Sequence, residues 1–143
     1  LQKNKIAKVL PFVDCIESVE SFDKAQEISE RVPAGKLFDI YLEVNESGEE
    51  SKNGCRHEEA FDYARSIASL PGLRLAGLMT VADPTEGRAC FERLRALRDK
   101  ICAEIDTCQR LSMGMSGDFA EAIAYGATDV RIGTAIFGER SFK

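Results

Sequence analysis

The hydrophobic pattern of this chain changes period again and again. Phe22, Ala25, Ile28 and Val32 fall on one helical face, Ala60, Phe61, Ala64, Ile67 and Ala68 on a second, and Phe91, Leu94, Leu97, Ile101 and Ile105 on a third. Between these stripes lie short runs rich in β-branched and apolar residues. Val13 to Ser18, Leu37 to Val44, Leu73 to Val81, Leu111 to Met113 and Val130 to Ala135 each read as a strand. An amphipathic segment opens the chain through Leu10, and an Ala-rich helix covers Phe119 to Tyr125. Pro33-Ala34-Gly35 and Pro71-Gly72 stop the helices that precede them.

Strands that alternate with helices of roughly 10–20 residues imply parallel pairing, because a parallel connection must cross back over the sheet, and it does so with a right-handed turn. The expected fold class is α/β, with five consecutive βα-type units. Periodicity alone fits a doubly wound sheet almost as well as a piece of a barrel. At 143 residues, with no internal repeat, linker or low-complexity stretch, the chain reads as a single domain over 1–143, and 44% apolar residues suffice for a core.

Charge narrows the partners. Nineteen basic against 24 acidic residues, a net charge of −5, no Trp and no basic block argue against nucleic acid. The apolar runs fall far short of the roughly 18 residues a membrane span needs, and no charged-then-apolar segment opens the chain, so a cytoplasmic protein without a membrane partner is expected. The five cysteines are odd in number and contain no Cys-x-x-Cys pair, and His57 is the lone histidine, so reduced structural thiols are expected and no metal ligands are assigned. Glu46, Glu49 and Glu50 read as a solvated acidic loop. Around a single histidine no Ser-His-Asp or Cys-His arrangement can be built, so no catalytic residues are assigned.

Candidate binding chemistry concentrates in residues 111–138. Ser116-Gly117-Asp118 opens the Ala-rich helix, and a helix start offers free amides to an anion. Arg131-Ile132-Gly133-Thr134 ends a β-branched run where Gly133 lets a ligand approach the backbone. Two anion-accepting turns at consecutive strand ends read as a phosphate grip, though Ser116 fits equally well as a helix N-cap and Arg131 as a salt-bridge residue.

Leu-Ser-Met-Gly-Met-Ser, Val-Arg-Ile-Gly-Thr-Ala-Ile-Phe-Gly, Leu1-Gln2-Lys3-Asn4-Lys5, the Ser-Lys-Asn-Gly of Ser51 to Gly54, and Gly77-Leu78-Met79 follow one another in an order that resembles the pyridoxal 5′-phosphate homeostasis protein family. That family is related to the N-terminal barrel domain of alanine racemases. The resemblance covers the whole chain. It implies the C-terminal five βα-type units of a (β/α)8 TIM barrel of the alanine racemase N-terminal type, with phosphate held at the ends of the seventh and eighth strands. It implies a pyridoxal 5′-phosphate site formed by Ser116, Arg131, Gly133, Thr134, Met79 and Asn45. Arg131 would lie beside the pyridine nitrogen, where a fixed cation opposes ring protonation and weakens the cofactor as an electron sink. Met79 would pack on the ring face, where a core role explains it almost as well, and Asn45 is alternatively a turn former.

In that family the cofactor aldehyde is held by a lysine on the first barrel strand, which precedes the Leu-Gln-x-Asn-Lys segment. No residue of this sequence matches it, and Lys52 sits on a loop after a different strand. The chain is thus expected to be a truncated family member lacking roughly three of the eight strand–helix units. The implied function is non-catalytic holding of pyridoxal phosphate, with phosphate or sulfate alone as the alternative ligand of this chain by itself. The alternative is a fragment of a PLP-dependent amino-acid racemase. Open barrel edges and an exposed apolar barrel face would favour self-association.

Overall fold

In the computed structural model, residues 2–49, 52–83 and 85–139 are described. Six strands run in chain order: β1 (Cys15–Val19), β2 (Phe38–Asn45), β3 (Cys55–Arg56), β4 (Leu73–Met79), β5 (Arg110–Met115) and β6 (Asp129–Arg131). Six α-helices join them: α1 (Lys3–Val9), α2 (Phe22–Ser29), α3 (Ala60–Ala68), α4 (Gly87–Cys102), α5 (Phe119–Ala124) and α6 (Thr134–Phe137). All strand pairs are parallel and the main order is β1-β2-β4-β5-β6, with the short β3 beside the end of β2.

That order decides between the two sheet types. A doubly wound sheet reverses direction at a switch point. Here every unit adds its strand on the same side, as in a barrel. Side-chain contacts across the inner face prove the curl. Tyr41 Oη on β2 donates to Asp129 Oδ2 on β6 at 3.1 Å, with β4 and β5 between them. Strands three apart in a flat sheet would be about 14 Å apart. Ser112 on β5 likewise reaches Glu17 on β1 at 2.6 Å. The described residues form a curled half-barrel of parallel βα units.

The core lies on the convex side. Ile16, Ile40, Leu42, Leu75, Leu78 and Leu111 point outward from their strands and meet Ile28 of α2, Ala64 and Ile67 of α3, and Phe91, Leu94 and Ile101 of α4, all fully or nearly fully buried. The alternating positions form the concave side. Among the described residues, only Cys15, Tyr41, Ala76 and Met79 make an apolar cluster there. Asp39 and Arg74 pair across β2 and β4, and Arg110 and Asp129 across β5 and β6. The expectation of an exposed apolar barrel face is therefore corrected: the inner face is largely charged and internally paired. Exposed apolar side chains lie instead on α5, β6 and α6, at Ile123, Val130, Ile136 and Phe137, and at Phe12 and Leu37 flanking β1 and β2.

Element ends differ from the pattern reading in a few places. The strand expected over Val130 to Ala135 stops at Arg131, and Thr134–Phe137 is helical. The amides of Gly133 and Ala135 both donate to Ser116 Oγ, which takes them out of a strand ladder. Val32 and Ile105 lie just beyond α2 and α4 yet still pack on the core. Both stripes continued past the hydrogen-bonded helix because apolar spacing reports burial, not backbone pairing.

Candidate functional site

The C-terminal ends of β4, β5 and β6 converge on one rim. Near the end of β5, Gly114 takes φ +94°, and a Cβ there would stand 2.6 Å from Ala122 Cβ, so β5 and α5 approach closely only because this residue is glycine. The chain then turns through Ser116 to Asp118. Asp118 is the residue preceding α5, and its Oδ1 accepts from Met115 N at 2.6 Å. This leaves Ser116 free of any capping role on α5. Its Oγ reaches across to the β6 turn, accepting from Gly133 N at 3.3 Å and Ala135 N at 3.2 Å. The two turns singled out in the sequence therefore meet. Ser116 keeps its own hydroxyl proton, and the Thr134 amide has no acceptor among the described residues. A Cβ built on Gly133 or Gly117 would meet nothing within 4 Å, so both glycines border open space.

Arg131 points from β6 along the concave face. Nη1 donates to Ser112 Oγ at 2.7 Å and Nη2 to the Thr80 carbonyl at 2.8 Å. Burial pulls its pKa below the ordinary guanidinium value, opposed by the carboxylates of Glu17, Glu43 and Asp118. Thr80, fully buried, follows Met79 and donates its hydroxyl to the Val44 carbonyl at 2.8 Å. Met79 pairs in register with Glu43 and faces the concave side with Tyr41. Glu43 is 6% exposed, and desolvation, then the charge of Glu20, pushes its carboxyl above the ordinary range.

Glu17, Thr80 and Ser112 were not read from the sequence as site residues. A signal existed: strands of a parallel sheet are apolar on both faces, and a Glu or Ser at an inward position breaks that pattern.

The loop after β2 is built by Asn45. Its Oδ1 accepts from Ser47 N, Ser47 Oγ and Gly48 N, and its Nδ2 donates to the carbonyls of Glu49 and Lys52. The side chain thus serves its own loop. Gly54, at φ +110°, closes the loop where a Cβ would press on Asn45 N at 2.6 Å. Lys52 Nζ sits 2.7 Å from Glu49 and 3.3 Å from Asp83, and these hydrogen bonds raise its pKa. The reading of Glu46 as solvated is overturned. Its side chain is 1% exposed, with Oε1 2.8 Å from His57 Nδ1 and Oε2 3.2 Å from Arg93 Nε. The following loop folds it against α4, where Arg93 also holds its carbonyl. Glu49 remains at the surface, and Glu50 lies outside the described residues. All five cysteines are free thiols, and no cluster of metal-ligating side chains occurs among the described residues.

The family profile described as alanine racemase, N-terminal domain, matches residues 2–141. The chain belongs to that family. A relative called pyridoxal phosphate homeostasis protein, from Pseudomonas aeruginosa, is 44% identical over 147 aligned positions, covering 99% of this chain and 63% of the relative. The chain thus spans less than two thirds of that relative's length. The crystal structure of an unknown protein from Bifidobacterium adolescentis superposes with a TM-score of 0.90 at 53% identity, over 96% of this chain and 58% of that one. PipY of Synechococcus elongatus with PLP bound superposes with a TM-score of 0.84 at 27% identity, over 96% and 67%. Among the described residues no helix is long and apolar enough to cross a membrane.

Proposed function

We propose that this chain supplies the phosphate-holding rim and the ring-facing arginine of a pyridoxal 5′-phosphate site in a non-catalytic protein that holds the cofactor. The observation that carries this reading is the meeting of Ser116 with the Gly133–Ala135 turn beside open space bordered by glycine. A phosphate dianion needs convergent N–H and O–H donors, and the Thr134 amide and the Ser116 hydroxyl are the donors this turn leaves unspent. Arg131 would meet the ring nitrogen and Met79 the ring face, while Asn45 acts through the loop it shapes. The bound PLP of PipY supports the assignment.

The setting of Arg131 limits the electron withdrawal available to a bound ring, which fits a holding role. A half-buried, doubly anchored guanidinium beside the ring nitrogen opposes its protonation, and with it the electron withdrawal that favours carbanion chemistry. The cofactor itself supplies an aldehyde able to condense with amines. Lys52 is a poor amine for that purpose, because its ion pairs with Glu49 and Asp83 keep it protonated. Borohydride treatment in the presence of pyridoxal phosphate is expected to leave no single lysine stoichiometrically labelled. Free thiols throughout fit a reducing, cytoplasmic setting.

Calorimetric titration with pyridoxine and pyridoxine 5′-phosphate tests the reading. The ester is expected to bind at least about tenfold more tightly, and Ser116→Ala to weaken it by about 1 kcal/mol because backbone donors remain. Equal affinity for the two compounds would overturn the placement.

A further inference from the structure

We infer that Glu17 and Ser112 form a positioning relay that aims Arg131 across the concave face, making them specificity determinants for a ring that accepts a hydrogen bond. The inference rests on the cofactor site proposed above and goes beyond it, because neither residue belongs to the phosphate-holding rim.

The polarity of the relay is forced. A guanidinium only donates, so Ser112 Oγ must accept from Arg131 Nη1, which it does at 2.7 Å. Ser112 is fully buried, and its one hydroxyl proton goes to Glu17 Oε2 at 2.6 Å. The Thr80 carbonyl holds Nη2 at 2.8 Å. Two anchors on two different nitrogens fix the plane of the guanidinium, whereas one would leave it free to pivot. Of the five N–H donors, two are engaged, and the rest have no protein acceptor among the described residues.

Placing a serine between Arg131 and Glu17 has a specific effect. A direct ion pair would turn the guanidinium toward the carboxylate and cancel much of its charge. Through the hydroxyl, Glu17 orients the cation but stays one side chain away, so the free edge of Arg131 keeps its donors and its charge for a ligand. Such an edge favours an unprotonated ring nitrogen and disfavours a pyridinium.

Two measurements test this on the chain as it stands. The first needs no ligand. Nitrogen-15 NMR of the Arg131 guanidinium should show separate, slowly exchanging Nη signals in the native protein and in Ser112→Thr, which keeps the hydroxyl. In Ser112→Ala, Glu17→Gln and the shorter Glu17→Asp these signals should merge as rotation is freed. Unchanged Arg131 signals in all three would overturn the relay. The second compares pyridoxine 5′-phosphate with inorganic phosphate. Glu17→Gln should weaken the former about tenfold and the latter by less than about twofold. Equal losses for both would overturn the specificity role. If the native protein does not distinguish the ester from inorganic phosphate, the cofactor reading fails, while the NMR signals still decide the relay.

Discussion

Glu43 is an inward-facing carboxyl on β2, almost fully buried, whose pKa desolvation raises. A raised folded-state value means the fold prefers the protonated form. That preference stabilises the protein at acid pH and is lost as pH rises through the folded value, so at neutral pH the ionised carboxylate works against folding. Glu43→Gln, which cannot ionise, is expected to be more stable than the native chain by about 1 kcal/mol near neutrality. The gain should shrink as the pH falls toward the ordinary carboxylate range. Thermal melts of both proteins across that span would show it, and a pH-independent difference would refute it.

Gly133 offers a second residue-scale test. Its φ of −118° suits any residue and a Cβ there meets open space, so Gly133→Val should leave the melting temperature nearly unchanged. The same side chain would occupy the space assigned to phosphate and should abolish measurable binding of pyridoxine 5′-phosphate by calorimetry. Ser116 and Gly133 could be singled out in the sequence because serine and glycine at strand ends have local meaning. Glu17 and Ser112 could not be joined that way. They are 95 residues apart, and only the curl of the sheet brings them together.

At the scale of elements, the order of strands and helices was readable because each βα unit carries its own change of period. The ends were less so. Ser116 captures two amides of the β6 turn, so a run that alternates like a strand becomes a helix start, and no local pattern announces a partner 17 residues away. The two-residue β3 is too short to produce a period at all. The β5–α5 unit has little tolerance at one point. With Gly114 at positive φ and Ala122 against it, Gly114→Ala combines backbone strain with overpacking and should destabilise by about 3 kcal/mol. Denaturant unfolding would measure the loss, and a change below about 1 kcal/mol would mean that α5 can shift outward.

For the whole molecule, strand pairing leaves the outer sides of β1 and β6 open among the described residues. Unpaired parallel edges invite other chains. The inner face is charged and paired, so association through it is disfavoured, whereas Val130, Ile136 and Phe137 lie exposed beside the β6 edge. We expect this chain to self-associate through that side, with a light-scattering mass above one chain that falls when Phe137→Ser and Ile136→Ser are combined. A monodisperse monomer would refute it.

The contacts that span the inner face also set a timetable. Tyr41 finds Asp129 across 88 residues, and Glu17 finds Ser112 across 95. Neighbouring units can pair as soon as each emerges during synthesis, but neither long-range contact can form until β5 or β6 has followed. The units carrying Glu17 and Tyr41 must therefore wait with their charged inner side chains in water, and the arginine that faces the ligand is oriented among the last of these events. Binding competence is thus acquired at the end of folding, when the arc has taken its curvature.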